Sequence, residues 1–178
     1  NSLEMSTLEY EAGEHLRSIR VIAGDVDSAR SIFDLMPTAT VEQWQTIAER
    51  MQVVPQAFAG MCESWSLGIS RNIVAPRRQA LVVAEQLETW AGTTNAPGFF
   101  TQFAESAAAV KGAPLTALRE AAVEASNSMA QTAKFLRQTY APAADLRNGV
   151  GEERHALARR RFMGMNDDAR EAYEWGFA

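Results

Sequence analysis

The chain has 178 residues, which is enough for one ordinary domain and too few for two comfortable ones. Its formal net charge of −5 argues against nucleic-acid binding through bulk positive charge, and its 47% hydrophobic content excludes general disorder. A single cysteine, Cys62, excludes an internal disulfide and a multi-cysteine metal site. No apolar run approaches the roughly 20 residues of a membrane-spanning helix, and the first residues do not match a signal peptide. We therefore expect a cytoplasmic protein that binds neither nucleic acid nor membrane.

Apolar residues recur at helical spacing through nearly the whole chain, and no segment alternates apolar and polar residues as a half-buried strand would. The first predicted helix covers 7–23, with Gly24 just past its end. Asp25 is predicted to cap a short helix, 26–35, that ends before Pro37.

A clear helix start follows at Thr40, because Thr40 and Gln43 match a capping box, in which side chains and backbone exchange hydrogen bonds. The apolar stripe that begins there continues past Pro55 to Ile69. A proline inside a helix lacks the backbone donor and clashes with the preceding turn. The sequence therefore predicts two stacked helical segments with a kink near Pro55.

The remaining predicted helices are 76–90, a phenylalanine-rich helix from 99 to about 112, a long helix at about 115–140, 152–163, and a last helix from 167. Pro142 is predicted to stop the long helix. The predicted fold is all-α, a single domain over 1–178 built as an irregular bundle of about six to eight helices. One hypothesis places the natural start at Met5, which would make residues 1–4 a cloning remnant.

The two histidines lack the spacing of a helical zinc site. A zincin needs two histidines four residues apart, with a glutamate between them as general base. Neither His15 nor His155 has such a partner. His15 lies in an apolar stripe and is expected at the edge of the core, whereas His155 is expected on the surface or in packing.

Three acidic pairs stand at predicted helix starts, where negative charge complements the helix dipole. The pairs are Asp25/Asp27, Glu152/Glu153 and Asp167/Asp168. We interpret them as capping residues rather than as acid–base pairs. Cys62 and the tryptophans fall on apolar stripes or near helix ends, so we expect them in the core, with Cys62 inert. The tryptophans are Trp44, Trp65, Trp90 and Trp175.

The densest basic run is Arg159, Arg160 and Arg161, with Arg154 one and a half turns earlier. Three consecutive residues spread over about 200° of a helix surface at ~3.6 residues per turn, so they cannot share one face. Two interpretations stay open. The arginines are solvated and form local ion pairs, or they hold an anionic ligand such as a peptide carboxylate.

Four short segments carry a resemblance to a known family. They are FDLMP at 33–37, YAP at 140–142, GEERHAL at 151–157 and AYEWGF at 172–177. In their order and spacing, over nearly the whole chain, they resemble the bacterial family called domain of unknown function 885, and actinobacterial members in particular.

The resemblance implies an all-helical protein similar to zinc metallopeptidases of the helical carboxypeptidase type. The family's His-Glu zinc motif lies downstream of the Glu-Trp-Gly segment and outside this chain. No catalytic, cofactor-binding or metal-binding residue is therefore assigned here, and zinc is expected only in the full-length protein. His155 stands where a tyrosine is expected in the family, which argues against giving it the family's substrate role.

The leading functional prediction is a non-catalytic scaffold and substrate-cleft portion, an internal fragment of a larger helical metallopeptidase-like protein. Its partners would be the remainder of the parent protein or a second copy, held through exposed apolar helix faces. The alternative is a self-contained module that binds a partner helix in a groove. A third hypothesis is a hydrolase that uses His155 with Glu152 and Glu153.

Overall fold

The computed structural model describes residues 2–164 and 168–177, and within these ranges it contains helices and no β-strand. The predicted all-α bundle is confirmed. The α-helices are α1 (Ser2–Glu11), α2 (Asp25–Ser31), α3 (Val41–Gln52), α4 (Val54–Ser70), α5 (Arg77–Ala91), α6 (Phe99–Ser106), α7 (Leu115–Phe135), α8 (Ala141–Ala143), α9 (Glu152–Met163) and α10 (Ala169–Trp175).

The amino-terminal prediction of one helix over 7–23 is wrong. Helix α1 ends at Glu11, and a separate 3₁₀ turn covers Glu14–Arg17. Gly13 separates them with a φ of 72°, a left-handed conformation that ends an α-helix and suits glycine. The apolar spacing indicated a helix because Ile19 does reach the core, although it does so from irregular backbone.

The predicted helix 26–35 is present as α2 followed by a 3₁₀ turn, Ile32–Leu35. Its cap differs from the prediction, because Gly24 is the capping residue and Asp25 is the first residue of the helix. The Asp25 carboxylate accepts a hydrogen bond from the Ser18 hydroxyl. It therefore ties the preceding irregular segment to the start of α2.

The capping box and the kink are both confirmed. The Gln43 N–H donates to the Thr40 hydroxyl oxygen at 3.3 Å, and the Thr40 N–H donates to the Gln43 side-chain oxygen at 3.1 Å. Helix α3 stops at Gln52 and α4 begins at Val54, with Pro55 in its first turn. A proline in a first helical turn costs nothing because that turn's N–H groups have no helical acceptor.

Thr40→Ala is expected to lower the free energy of unfolding by about 1 kcal/mol, because the Gln43 N–H loses its side-chain acceptor. Thr46→Ala is the matched control. Thr46 lies in the interior of α3, and its hydroxyl only donates to a carbonyl oxygen already within the helix. Urea unfolding followed by circular dichroism measures both. Equal destabilisation by the two substitutions would contradict a capping role for Thr40.

Helix α7 is the centre of the bundle and packs against α3, α4, α5 and α6. Its inward face carries Leu118 and Met129 among buried alanines, and small side chains let neighbouring helices approach closely. The largest buried side chains packed in the same core include Trp44, Met51, Phe58, Trp65, Leu87 and Phe100.

The long helix predicted at about 115–140 is confirmed, with two refinements at its end. After Phe135 the backbone widens into a π-helical turn, Leu136–Tyr140, and α8 then continues to Ala143. Pro142 lies inside α8, so the helix passes the predicted stop and ends one residue later, at Ala143. The π-turn places the buried Tyr140 hydroxyl 2.7 Å from the Ala75 nitrogen, from which it accepts a hydrogen bond.

The carboxy-terminal helices differ from the rest because neither α9 nor α10 buries a side chain. Helix α9 contacts α1. Trp175 is 83% exposed, so its predicted place in the core is wrong, whereas Trp44 and Trp65 are buried and Trp90 is partly buried. The last helix, predicted from 167, begins at Ala169.

Candidate functional site

Several ion pairs join α9 to the amino-terminal segment. Carboxylates from α1 and the 3₁₀ turn face arginines of α9, which follow them by 140 residues or more. The nitrogen–oxygen distances are 2.6 and 2.8 Å for Arg154–Glu14, 2.6 Å for Arg160–Glu4 and 3.2 Å for Arg161–Glu9. Three ion pairs therefore hold α9 against the amino-terminal segment.

Glu14 is the most densely paired carboxylate of this contact. Arg154 holds it with two parallel hydrogen bonds, and Arg17 approaches its Oε1 atom at 3.3 Å. Burial alone would raise the pKa of Glu14, but the hydrogen bonds and charge of Arg154, with the charges of Arg17 and Arg20, outweigh it. The pKa of Glu14 is therefore below its ordinary value, and the carboxylate stays charged at neutral pH.

Three cavities lie beside α9. One of about 470 Å³ lies where α9 meets α1 and is lined by Tyr10 and His15. A second, of about 560 Å³, lies where the 144–151 loop meets Arg17. The third, of about 920 Å³, lies between α9 and the start of α10 and is lined by His155. Helix α9 thus forms a wall of each cavity.

Both histidines lie at these cavities rather than in the core. His15 is exposed and stacks on the Tyr10 ring, with the ring centroids 4.3 Å apart, so its predicted place at the core edge is wrong. The reason is the end of α1 at Glu11, which removes His15 from the apolar stripe. His155 is exposed as predicted and shares its cavity with Glu152, whereas Glu153 does not line that cavity.

Where the structure describes them, the residues of the predicted acidic pairs lie at helix starts. Glu152 and Glu153 are the first two residues of α9. The Asp168 carboxylate caps α10, because it accepts the N–H groups of Arg170 and Glu171 at 2.7 and 3.2 Å. Asp167 lies outside the described residues.

Cys62 is partly buried between α4 and α7 and far from the α9 contact. Its thiol donates a weak hydrogen bond to the Thr132 hydroxyl oxygen, with a sulfur–oxygen distance of 3.8 Å. Burial raises the pKa of the Cys62 thiol, which outweighs the lowering effect of that hydrogen bond. A thiol held protonated is a poor nucleophile, which agrees with the predicted inert role.

Among the residues that the structure describes, no group of three or more His, Cys, Asp or Glu side chains is placed to hold a metal ion. The donor set does not fit the zinc that the family resemblance implies. The chemistry present at α9 is instead that of guanidinium groups, which bind carboxylates and other oxyanions with planar, paired hydrogen bonds.

The first of the two interpretations, solvated arginines in local ion pairs, is confirmed only in part. Arg154, Arg160 and Arg161 form ion pairs, but with a distant segment rather than with local residues. Sequence reasoning missed Glu14 and Arg17 entirely. A weak signal existed, since Glu4, Glu9 and Glu14 recur every five residues, but nothing in the sequence links them to arginines so far along the chain.

Arg161→Glu is expected to loosen α9, because it places a carboxylate beside Glu9. Hydrogen exchange of the α9 amides should become faster than in the unmodified protein. The double variant Glu9→Arg, Arg161→Glu restores opposite charges and should recover most of the protection. If the double variant exchanged as fast as the single one, ion pairing would not be what docks α9.

The family model for bacterial proteins of unknown function, DUF885, matches residues 1–178. The chain belongs to the DUF885 family. This membership confirms the resemblance carried by the four short segments, including GEERHAL at the start of α9. Among curated proteins, none matches this DUF885 chain significantly. In the described part of the chain, no helix combines the length and apolarity that crossing a membrane requires.

Proposed function

We propose that this DUF885 chain is a non-catalytic helical scaffold that contributes one wall of a substrate cleft in a larger protein resembling helical zinc metallopeptidases. The observation that carries the proposal is the exposed apolar surface of the last two helices. Phe162 is 88% exposed and Trp175 is 83% exposed, and Met163, Tyr173 and Phe177 are exposed as well. Large apolar side chains exposed on successive helices are typical of surfaces that other protein covers.

The cavities beside α9 support the cleft part of the proposal. Two of them, of about 470 and 920 Å³, lie against α9 and are lined by both charged and apolar side chains. Ligand sites are concave, and they combine apolar walls with a few polar groups. A second polypeptide segment packed on Phe162, which lines the smaller of these cavities, would deepen that open depression.

The catalytic part of the proposal is tested with the purified chain, added zinc and a panel of peptides. We expect no hydrolysis above the uncatalysed rate, with or without the metal. Turnover that depends on zinc and is abolished by a chelator would overturn the scaffold assignment. Loss of that turnover in His155→Ala would instead favour a hydrolase that uses His155 and Glu152.

The apolar surface is tested by sedimentation velocity and by binding of a hydrophobic dye. The purified chain should self-associate or bind the dye, and Phe162→Ser combined with Trp175→Ser should abolish both. Leu35→Ser is the matched control, because Leu35 is 85% exposed and lines a separate groove to which α9 and α10 contribute no residue. A monomer that binds no dye would contradict the proposal.

The alternative is a self-contained interaction module, and one observation favours it. An apolar groove of about 350 Å³ is lined by Ile32, Leu35, Met36 and Pro37. If this groove were the binding surface, Leu35→Ser would abolish association and the substitutions at Phe162 and Trp175 would not. The parental open reading frame also separates the two: a continuation with a His-Glu zinc motif supports the scaffold, and a stop codon after Ala178 supports the module.

A further inference from the structure

Three arginines from separate parts of the chain line one cavity of about 560 Å³. Arg17 comes from the amino-terminal 3₁₀ turn, Arg147 from the loop after α8, and Arg154 from the first turns of α9. Asn72, Asp145 and Gly149 also line the cavity, together with apolar residues that include Val74 and Leu146. The cavity lies on the opposite side of Arg154 from the one that contains Tyr10 and His15.

The charges around this cavity do not balance. Arg17 and Arg154 share one carboxylate, Glu14, while Arg147 pairs with Asp145 at 3.0 Å. Arg17 also donates to the Ala12 carbonyl oxygen at 2.6 Å, but this neutral acceptor does not offset its charge. Three guanidinium groups therefore face two carboxylates, which leaves one positive charge in excess.

The excess charge is partly buried, which makes it costly. The Arg17 and Arg154 side chains are only 15% and 25% exposed. Burial lowers the pKa of the Arg17 guanidinium, and the positive charge of Arg154 lowers it further. A charge removed from water without a full partner is unfavourable, so an anion in the adjoining cavity would compensate it.

We propose that this cavity binds the oxyanion group of a small molecule, a phosphate or a carboxylate, between Arg17, Arg147 and Arg154. Guanidinium groups are matched to such groups because they offer paired, planar donors. The Asn72 amide adds a neutral donor. Neither the scaffold role nor the covering of the apolar surface is needed for this site.

The test is a calorimetric titration with inorganic phosphate and, separately, with acetate, each at constant ionic strength set with sodium chloride. We expect saturable binding of at least one probe. Arg147→Gln should weaken it about tenfold or more, the effect of losing a charge-assisted hydrogen bond. Arg78→Gln is the matched control: it removes the same charge from an exposed site that does not line the cavity, and it should change the affinity less than twofold.

Glu14→Gln should change the anion affinity in the direction opposite to Arg147→Gln. It keeps the shape of the side chain but removes one of the two negative charges, so it should bind the anion more tightly than the unmodified protein. Circular dichroism and hydrogen exchange of α9 verify that the variant remains folded and docked. If the protein binds phosphate more tightly than acetate, the cavity is a phosphate site; if it binds acetate more tightly, the cavity is a carboxylate site.

Three results would overturn the proposal. The first is the absence of saturable binding by either probe once ionic strength is matched. The second is equal weakening by Arg147→Gln and Arg78→Gln, which would show an effect of net charge alone. The third is weaker anion binding by a folded and docked Glu14→Gln variant.

Discussion

Replacing Gly68 with alanine is expected to destabilise the fold by about 3 kcal/mol or more, the upper part of the range for forcing atoms into a packed interior. Gly68 is buried in α4, where a Cβ atom would lie 2.5 Å from the Leu16 carbonyl oxygen and 2.7 Å from the Ile73 carbonyl oxygen. Both obstacles are backbone atoms and cannot rotate away. The amino-terminal segment, the loop after α4 or the helix itself must move.

The same substitution eight residues earlier provides the control. Gly60 is exposed in the same helix, and a Cβ there meets no atom within 4 Å. Gly60→Ala should stabilise the protein by about 0.5–1 kcal/mol, because alanine loses less backbone entropy than glycine in a helix. Urea unfolding measures both variants. If Gly68→Ala were stabilising as well, Leu16 would not be packed against α4 as described.

Tyr140→Phe is expected to lower the free energy of unfolding by about 1–3 kcal/mol, the cost of leaving a buried donor without an acceptor. The Tyr140 hydroxyl accepts the Ala75 N–H at 2.7 Å, and both residues are buried. Burial raises the pKa of Tyr140, so the hydroxyl is neutral under physiological conditions. Phenylalanine keeps the ring packed near Trp65 and removes only the oxygen.

Tyr10→Phe is the matched control for that substitution. Tyr10 is exposed, and its ring stacks on His15 without using the hydroxyl. Its thermal midpoint should stay within about 1 °C of the unmodified protein, whereas Tyr140→Phe should lower the midpoint by roughly 2–4 °C per kcal/mol lost. Equal midpoints for the two variants would show that the Ala75 N–H finds another acceptor.

The parts of the fold that local signals encode were predictable. The capping box at Thr40 and the proline at 55 each act through the backbone of a few neighbouring residues. The prediction failed where a local conformation depended on distant contacts. Gly13 adopts its left-handed φ beside the Ile73 side chain, 60 residues along the chain, and the apolar spacing around it still indicated a helix.

The sequence indicated the arginines of the α9 contact but not their carboxylate partners. The arginines of 154–161 stood out because they are clustered, and their exposed helix was predicted at its correct position. Their partners could not be found, because Glu4, Glu9 and Glu14 are ordinary surface carboxylates until the fold brings α1 beside α9. The same limit explains Trp175, whose apolar character indicated burial but whose helix lies at the edge of the molecule.

By itself the sequence determined the helical class, most helix boundaries and the family, because propensity, capping and apolar spacing act over less than about twenty residues. Only the tertiary structure decided which arginine meets which carboxylate, where the cavities lie and which apolar side chains stay exposed. The ion pairs that dock α9 join residues more than a hundred positions apart. These pairs stabilise the protein only once the helices have packed around α7.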